Sequence, residues 1–288
     1  MICWWRSQSE KIGQLMGRTR LASAAVIVLA TSALIASCTA ETRSAPTQPT
    51  PTRTTSAPSE APEASEASLP SATPDAQVSN GRSYAVTATV IEGATPGGDG
   101  HWHAEVGQVS EGDPLVAQAF NKAGEASARD QIDQVRRDAG TGASSWTFEV
   151  TPTLTFRPTA IAQLLTGVYY AQGAAHPSNY VSTVVIDSRT AKPITLTDLF
   201  ADEQAGLERL SQQTKQIWPD VYGDGTPMAD EPGNRPVAAN FANWIPTEQG
   251  MELHFADYQF AHGLPVITVP WSALTDVLAP EMAVLAQR

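Results

Sequence analysis

The sequence predicts an α+β fold, a mostly antiparallel sheet with two main helices packed on it. Three observations carry that expectation. Between residues 82 and 187 several segments alternate apolar and polar side chains with period two, broken by turn residues. Two other segments, 113–139 and 197–218, carry apolar residues at helical spacing behind a start signal. Finally, strand segments come as hairpins separated by single helices, and not as regular strand–helix–strand units.

The elements follow in order. Residues 82–91 put Tyr84, Val86, Ala88 and Val90 on one side and read as a strand. A glycine-rich turn over 93–100 leads to a second strand, 101–109, with Trp102, Ala104 and Val106 facing one way and His101, His103 and Glu105 the other. Asp113 and Pro114 form a helix start, an N-cap followed by proline at the first helical position, and Gly140 is the stop. The apolar stripe of this helix moves from Val116, Phe120 and Ala123 to Ala128, Ile132 and Val135, so a kink or break is expected at Gly124.

Residues 145–156 alternate most strictly, Trp146, Phe148, Val150, Leu154 and Phe156 against Thr147, Glu149, Thr151, Thr153 and Thr155. Pro152 asks for an edge position or a bulge. A turn at Arg157-Pro158-Thr159 opens a hairpin whose arms flank an exposed loop at 172–179, and residues 187–192 read as a surface turn. The second helix is expected to start at Thr197 and continue over 201–218, followed by a long Gly/Pro-rich loop, 219–236. Met251, Leu253 and Phe255 mark a strand, 256–264 a loop and 265–269 a further strand, and Pro270 opens a terminal helix.

The first quarter of the chain is different in kind. A basic run, Met16 to Arg20, precedes an apolar stretch at 21–35 and the tetrapeptide Ile35-Ala36-Ser37-Cys38. This reads as a secretory signal peptide with its expected start at Met16, and its last four residues resemble a bacterial lipobox, in which the cysteine, here Cys38, is acylated. Residues 39–79 are Ser, Thr, Pro, Ala and Glu with few large apolar side chains, a disordered spacer. The expected division is therefore 1–37 signal peptide, 38–79 lipidated N-terminus and linker, 80–160 an N-terminal α+β module and 161–288 a C-terminal module. The expected location is outside the cell, anchored by lipid to the outer face of the cell membrane.

Cysteine and charge agree with export. Of the two cysteines, Cys3 precedes the expected start and Cys38 carries lipid, so the mature domain has neither disulfide nor free thiol. The chain is at −12, and losing residues 1–37 leaves 14 basic against 29 acidic side chains, −15. Such a surface excludes nucleic acid as a partner, since phosphate contacts need Lys and Arg, and it speeds encounter with a basic protein.

The chemistry-bearing patterns are sparse. His101, His103 and Glu105 share a strand face at metal-ligand spacing, although alternation alone also places them there. Serine-hydrolase chemistry would use His176 or His254 with a nearby acid, but Gly-x-Ser-x-Gly does not occur. No phosphate loop or cysteine-rich metal motif is present, and no cofactor is implied. Tyr and Trp residues gather in the second half beside expected loops, as binding anchors or as strand and core residues.

Residues 169–278 resemble the RsiV-type C-terminal domain, a domain of unknown function also found in secreted mycobacterial immunogenic proteins of the MPB type. The matching residues are Tyr170-Ala171-Gln172-Gly173-Ala174-Ala175-His176, Val184-Val185-Ile186-Asp187 and Ile194 through Phe200. Further on they are Gly250-Met251-Glu252-Leu253-His254-Phe255, Tyr258-Gln259-Phe260 and Gly263 through Leu274. Ala174 replaces a glycine of the family's Gly-Gly-Ala-His loop, and 84–156 is similar to the module that often precedes this domain. The resemblance implies a grasp-like C-terminal half. It also implies protein binding, since the best understood member is a membrane-anchored anti-sigma factor that binds lysozyme. The signalling role is not implied, because no transmembrane helix or sigma-binding segment is recognisable.

The leading expectation is thus a lipid-anchored binding module. It would contact a lysozyme-like protein or peptidoglycan through Tyr170, Gly173, His176, Asn179, Tyr180, Tyr258 and His262. A cell-wall hydrolase or esterase and a structural envelope lipoprotein are the alternatives.

Overall fold

The computed structural model describes residues 77–140, 144–223, 225, 226 and 228–287. The signal peptide, Cys38 and nearly all of the spacer lie outside the described residues. The described residues belong to one compact unit.

Seven strands pair in chain order: β1 (Val78–Ser79), β2 (Arg82–Ala94), β3 (Gly100–Glu111), β4 (Trp146–Arg157), β5 (Ala160–Ala171), β6 (Ser178–Asp187) and β7 (Lys192–Pro193). Every neighbouring pair is antiparallel except β3–β4. That pair is parallel because helix α1 (Pro114–Ala139) carries the chain back between them. The expected boundary between modules, at 160/161, falls inside β5, and the sheet continues across it.

α1 starts and stops where the sequence says. The Asp113 carboxylate accepts the N–H groups of Leu115 and Val116, and Gly140, at φ 65°, donates to the Arg137 carbonyl. The break expected at Gly124 does not occur. Gly124 is buried against the sheet, and a Cβ there would sit 2.4 Å from Gln163 Nε2 and 3.2 Å from Val106. The stripe shifts because the two halves of α1 meet two apolar clusters on a twisting sheet. Val116 and Phe120 join Tyr84, Val109 and Ile161, whereas Ala128, Ile132 and Val135 join Ala104, Phe148 and Leu165.

β3 pairs with β4 only from Gly100 to Ala104. Beyond that point side chains fill the gap: Gln163 Oε1 accepts the Gly107 N–H, and Asn121 bonds both main-chain groups of Val109. Pro152 therefore sits in unbroken register with Leu165 of β5, with no strand along its other edge, and needs no bulge. On β2 the expected core side is wrong beyond its first residue. Tyr84 is buried, but Val86 and Val90 are exposed and Ile91 packs instead, because α1 covers only the β3 side of this edge.

A second, three-stranded antiparallel sheet comprises β8 (Trp244–Pro246), β9 (Gly250–His254) and β10 (Val266–Pro270), in the order β10–β9–β8. It lies on the face of the large sheet opposite α1. Successive strand residues point to opposite faces: Ile161, Leu165 and Ile186 meet the α1 side, whereas Ala160, Ala162 and Val185 join Trp244, Met251, Leu253, Phe255 and Ile267.

The second helical region is two helices, not one. α2 (Leu196–Leu199) has a capping box between Thr195 and Asp198, and α3 (Glu203–Val221) begins anew at Asp202, whose carboxylate accepts the Ala205 N–H. They are separated because residues 199–201 are held extended against 277–279, through Ala201 N–H to Val277 O and Ala279 N–H to Leu199 O. The same pairing rules out the expected terminal helix, leaving 3-10 turns at Trp271–Ala273 and Pro280–Ala286. α3 also runs past Pro219, which occupies its last turn. The expected surface turn at 187–192 has a buried base, where Ser79 Oγ donates to Ser188 Oγ and the Arg189 guanidinium grips Asp187.

Candidate functional site

The hairpin β5–β6 and the loop between β9 and β10 carry the residues singled out by sequence. Loop 172–177 turns at Gly173, whose φ of +87° is the left-handed conformation that favours glycine. Loop 256–264 contains Tyr258 at φ +62°, unusual for a large side chain, held there by Tyr258 N–H to Ala261 O (3.0 Å).

Asp257 ties the two together. Its Oδ2 accepts the main-chain N–H of Asn179 (2.8 Å) and its Nδ2 (3.1 Å), while Oδ1 accepts from Gly263 N–H (2.7 Å) and His262 Nδ1 (3.0 Å). Burial alone would raise this carboxyl's pKa, but four donors aimed at the ionised form hold it below the usual carboxylate value.

Around that anchor the rings assemble. The Tyr258 hydroxyl lies 3.2 Å from His176 Nε2, and the His176 and His262 ring centres are 4.5 Å apart. His176 Nδ1 lies 2.9 Å from the Pro177 carbonyl, which can only accept. Nδ1 therefore carries the proton, and in the neutral ring Nε2 accepts from Tyr258. On the opposite side of β6, Tyr180 donates to Asp138 Oδ2 (3.1 Å) in the last turn of α1 and sets its ring edge-on to Phe148. Burial, reinforced by the Asp138 charge, pushes the Tyr180 phenol well above its ordinary pKa.

Between these groups lies a cavity of about 410 Å³, lined by Gln134 and Asp138 of α1, residues 178–181 of β6, Asn243, Ala256, Asp257 and Tyr258. Two carboxylates, two phenols and three amides face it, with no Lys or Arg in its wall. Such a lining accepts hydrogen bonds and positive charge. It is a poor place for an anion.

His176, Asn179, Tyr180, Tyr258 and His262 thus converge, and two of the expected contact residues do not. Tyr170 is half exposed at the end of β5 opposite Thr147, and Gly173 shapes its turn with open space where a Cβ would stand. Sequence reasoning missed Asp257, Asp138, Gln134 and Asn243. Asp138 carried one usable signal: an acid in the last turn of a helix opposes the helix dipole, so its presence there invites another explanation. The third expected loop is drawn in from one side. Gln259 Nε2 donates to the carbonyls of Gly233 and Asn240, and Asn234 exchanges bonds with Ser211 of α3.

The remaining candidates stand apart. His103 approaches Glu92 (3.8 Å) and Glu105 (4.0 Å), while His101 faces Ala94 and Thr147 in register. Among the described residues no group of three or more His, Cys, Asp or Glu is placed to hold a metal. His254 is buried in β9 with Nε2 2.8 Å from Glu252 Oε1, close but poorly aligned for a hydrogen bond. No hydroxyl among the described residues bonds to His176, His254 or His262 except the Tyr258 phenol. Among the described residues no helix is long and apolar enough to cross a membrane.

No family model matches this chain, and no curated protein matches it in sequence. Its likeness is to solved structures. A DUF3298 family protein from Pseudomonas aeruginosa PAO1 is 15% identical with a TM-score of 0.47, covering 69% of this chain and 95% of that one. A DUF3298 family member from Bacteroides fragilis NCTC 9343 is 10% identical with a TM-score of 0.50, covering 73% of this chain and 99% of that one. At 10% identity the likeness to the second is one of fold. The structural neighbours belong to an uncharacterised domain family.

Proposed function

We propose that the chain is a lipid-anchored extracytoplasmic binding module for a basic, lysozyme-like protein, received at the cavity between α1, β6 and loop 256–264. The observation that carries this reading is the lining: Asp138 and Asp257 stand with Tyr180 and Tyr258 around an opening free of Lys and Arg. A guanidinium or ammonium group entering it meets charge, hydrogen-bond acceptors and aromatic faces at once. The acidity of the chain steers such a partner, and the spacer after Cys38 holds the domain off the membrane. Peptidoglycan, as a cell-wall ligand for the same rings, is the competing occupant.

The test is retention of lysozyme on the immobilised chain at low and at high salt. Retention at low salt that weakens at high salt is expected, with Asp138→Asn combined with Tyr258→Ala weakening it by at least about tenfold, ~1.4 kcal/mol. Failure to retain lysozyme at low salt removes this ligand, and binding to purified peptidoglycan then decides the other. Anchoring is read separately, by incorporation of labelled fatty acid that Cys38→Ala abolishes.

His254 beside Glu252 favours one second reading, a cell-wall hydrolase or esterase. A screen on glycan, peptide and ester substrates examines it, with His176→Ala and His254→Ala as controls. Turnover that a control removes replaces the binding reading.

A further inference from the structure

Beside the cavity, loops 172–177 and 256–264 bring three rings together. The ring centres of His176 and His262 are 4.5 Å apart, those of Tyr258 and His262 5.2 Å and those of Tyr258 and His176 6.3 Å. The Tyr258–His176 hydrogen bond accounts for one of these contacts, and it requires no second imidazole.

Both imidazoles are in the tautomer that a metal ion needs. His176 carries its Nδ1 proton toward the Pro177 carbonyl, and His262 Nδ1 donates to Asp257 Oδ1. In the neutral rings each Nε2 therefore keeps a lone pair. A ligating imidazole commonly rests its other nitrogen on a carboxylate or a main-chain carbonyl, which fixes the ring and raises its basicity. Here one ring has each kind of support, and the carboxylate is itself fixed by Asn179 and Gly263. Tyr258 adds an oxygen. Its left-handed backbone, φ +62°, is costly for a large side chain and sets the hydroxyl 3.2 Å from His176 Nε2.

The separations suit a single ion. At an imidazole–metal bond of ~2.0–2.1 Å, a bound ring has its centre about 3.2 Å from the metal. Two such rings at a right angle are then about 4.5 Å apart, and at the tetrahedral angle about 5.2 Å. His176 and His262 have the right-angle spacing. Donor atoms at the same bond length and angles stand about 2.9–3.4 Å apart, a range that includes the 3.2 Å between the Tyr258 hydroxyl and His176 Nε2. Nitrogen and oxygen donors near right angles form the tetragonal arrangement of copper(II), which also binds such ligands more tightly than zinc does.

We propose that His176 Nε2, His262 Nε2 and the Tyr258 phenolate bind one divalent transition-metal ion, copper(II) most tightly, with Asp257 supporting His262 from behind. The phenol loses its proton to solvent as the oxygen–metal bond forms, and water completes the coordination. The phenolate stands where a third histidine or a carboxylate would serve in other sites. The ion ties loop 172–177 to loop 256–264. This site does not rest on binding of lysozyme or peptidoglycan, and its test contains neither.

The test uses the exported chain carrying Cys38→Ala, stripped of metal with a chelator and titrated with Cu²⁺ and with Zn²⁺. One equivalent of Cu²⁺ is expected to bind with a phenolate-to-copper absorption band in the visible, and Zn²⁺ to compete for the same place more weakly. Loss of an outer-shell partner alone costs a metal site about 10–100-fold, so His176→Ala and His262→Ala should each weaken copper binding at least tenfold. Tyr258→Phe should remove the band. All three side chains are exposed, and the melting midpoint of each metal-free variant verifies its fold. His101→Gln with His103→Gln, on β3, should leave binding and band unchanged. A readout on the unvaried rings accompanies these: Zn²⁺ should shift the imidazole resonances of His176 and His262 and leave those of His101 and His103 in place. No binding at micromolar copper overturns the proposal. So does binding that survives either change at His176 or His262, binding lost with the β3 pair, or saturation without the band.

Discussion

At Asp257 four donors converge on one carboxylate, two from Asn179 of β6 and two from His262 and Gly263 of its own loop. Removing its charge leaves donors facing a neutral group in a nearly closed setting, so Asp257→Asn should cost about 2 kcal/mol at neutral pH. The folded pKa is lowered, so this contribution is present above the unfolded value of about 4 and is lost as pH falls through the folded one. Urea unfolding of wild type and variant should therefore converge below about pH 4. A constant gap at all pH would show that Asp257 acts through packing alone. For Tyr180 the sign is opposite. Its phenol is pushed up by burial and by Asp138, so its stabilising effect persists below about pH 10, the ordinary tyrosine value, and is lost above. In an alkaline ultraviolet titration, Tyr180→Phe should remove a late-ionising tyrosine and leave the early ones unchanged.

Helix ends and helix contacts obey different constraints. Asp113 caps α1 through two N–H groups, so Asp113→Ala should lower stability by about 1 kcal/mol, read as a shift of the thermal midpoint. At Gly206 two effects compete. Alanine gains about 1 kcal/mol in helix propensity, but its Cβ would lie 2.1 Å from the buried Phe200 ring. Overpacking of that kind costs about 1–3 kcal/mol, so Gly206→Ala should destabilise on balance. A stabilised variant would mean that Phe200 can move. Gly124 and Gly206 make the same point about reading glycine in a helix. From sequence, Gly124 looks like a breaking point; in the fold it is a close approach, and the helix runs through it.

Across the molecule, the two modules expected on either side of residue 160 share one large sheet, with apolar clusters on both of its faces. Phe148 packs on the α1 side, and Phe241 sits between the small sheet and α3 on the other. Each change to alanine should cost about 3–5 kcal/mol, and both should lower the same cooperative transition. Two separately shifted melting steps would instead restore the division near residue 160.

The sequence by itself determined the class of fold, most strands and the caps of α1, and it pointed to three of the residues that line the cavity, Asn179, Tyr180 and Tyr258. These rest on local rules: period two, N-cap chemistry, and Tyr and Asn at turn edges. It could not show that β2 turns its valines outward, that residues 199–201 pair with 277–279, or that Asp257 and Asp138 face one opening. Each depends on which segments meet across many intervening residues. An aspartate in a loop and an aspartate at a helix end look alike in sequence, and only tertiary structure brings one to Asn179 and the other to Tyr180. The acidic cavity exists because α1, β6 and the β9–β10 loop meet at the same end of the large sheet.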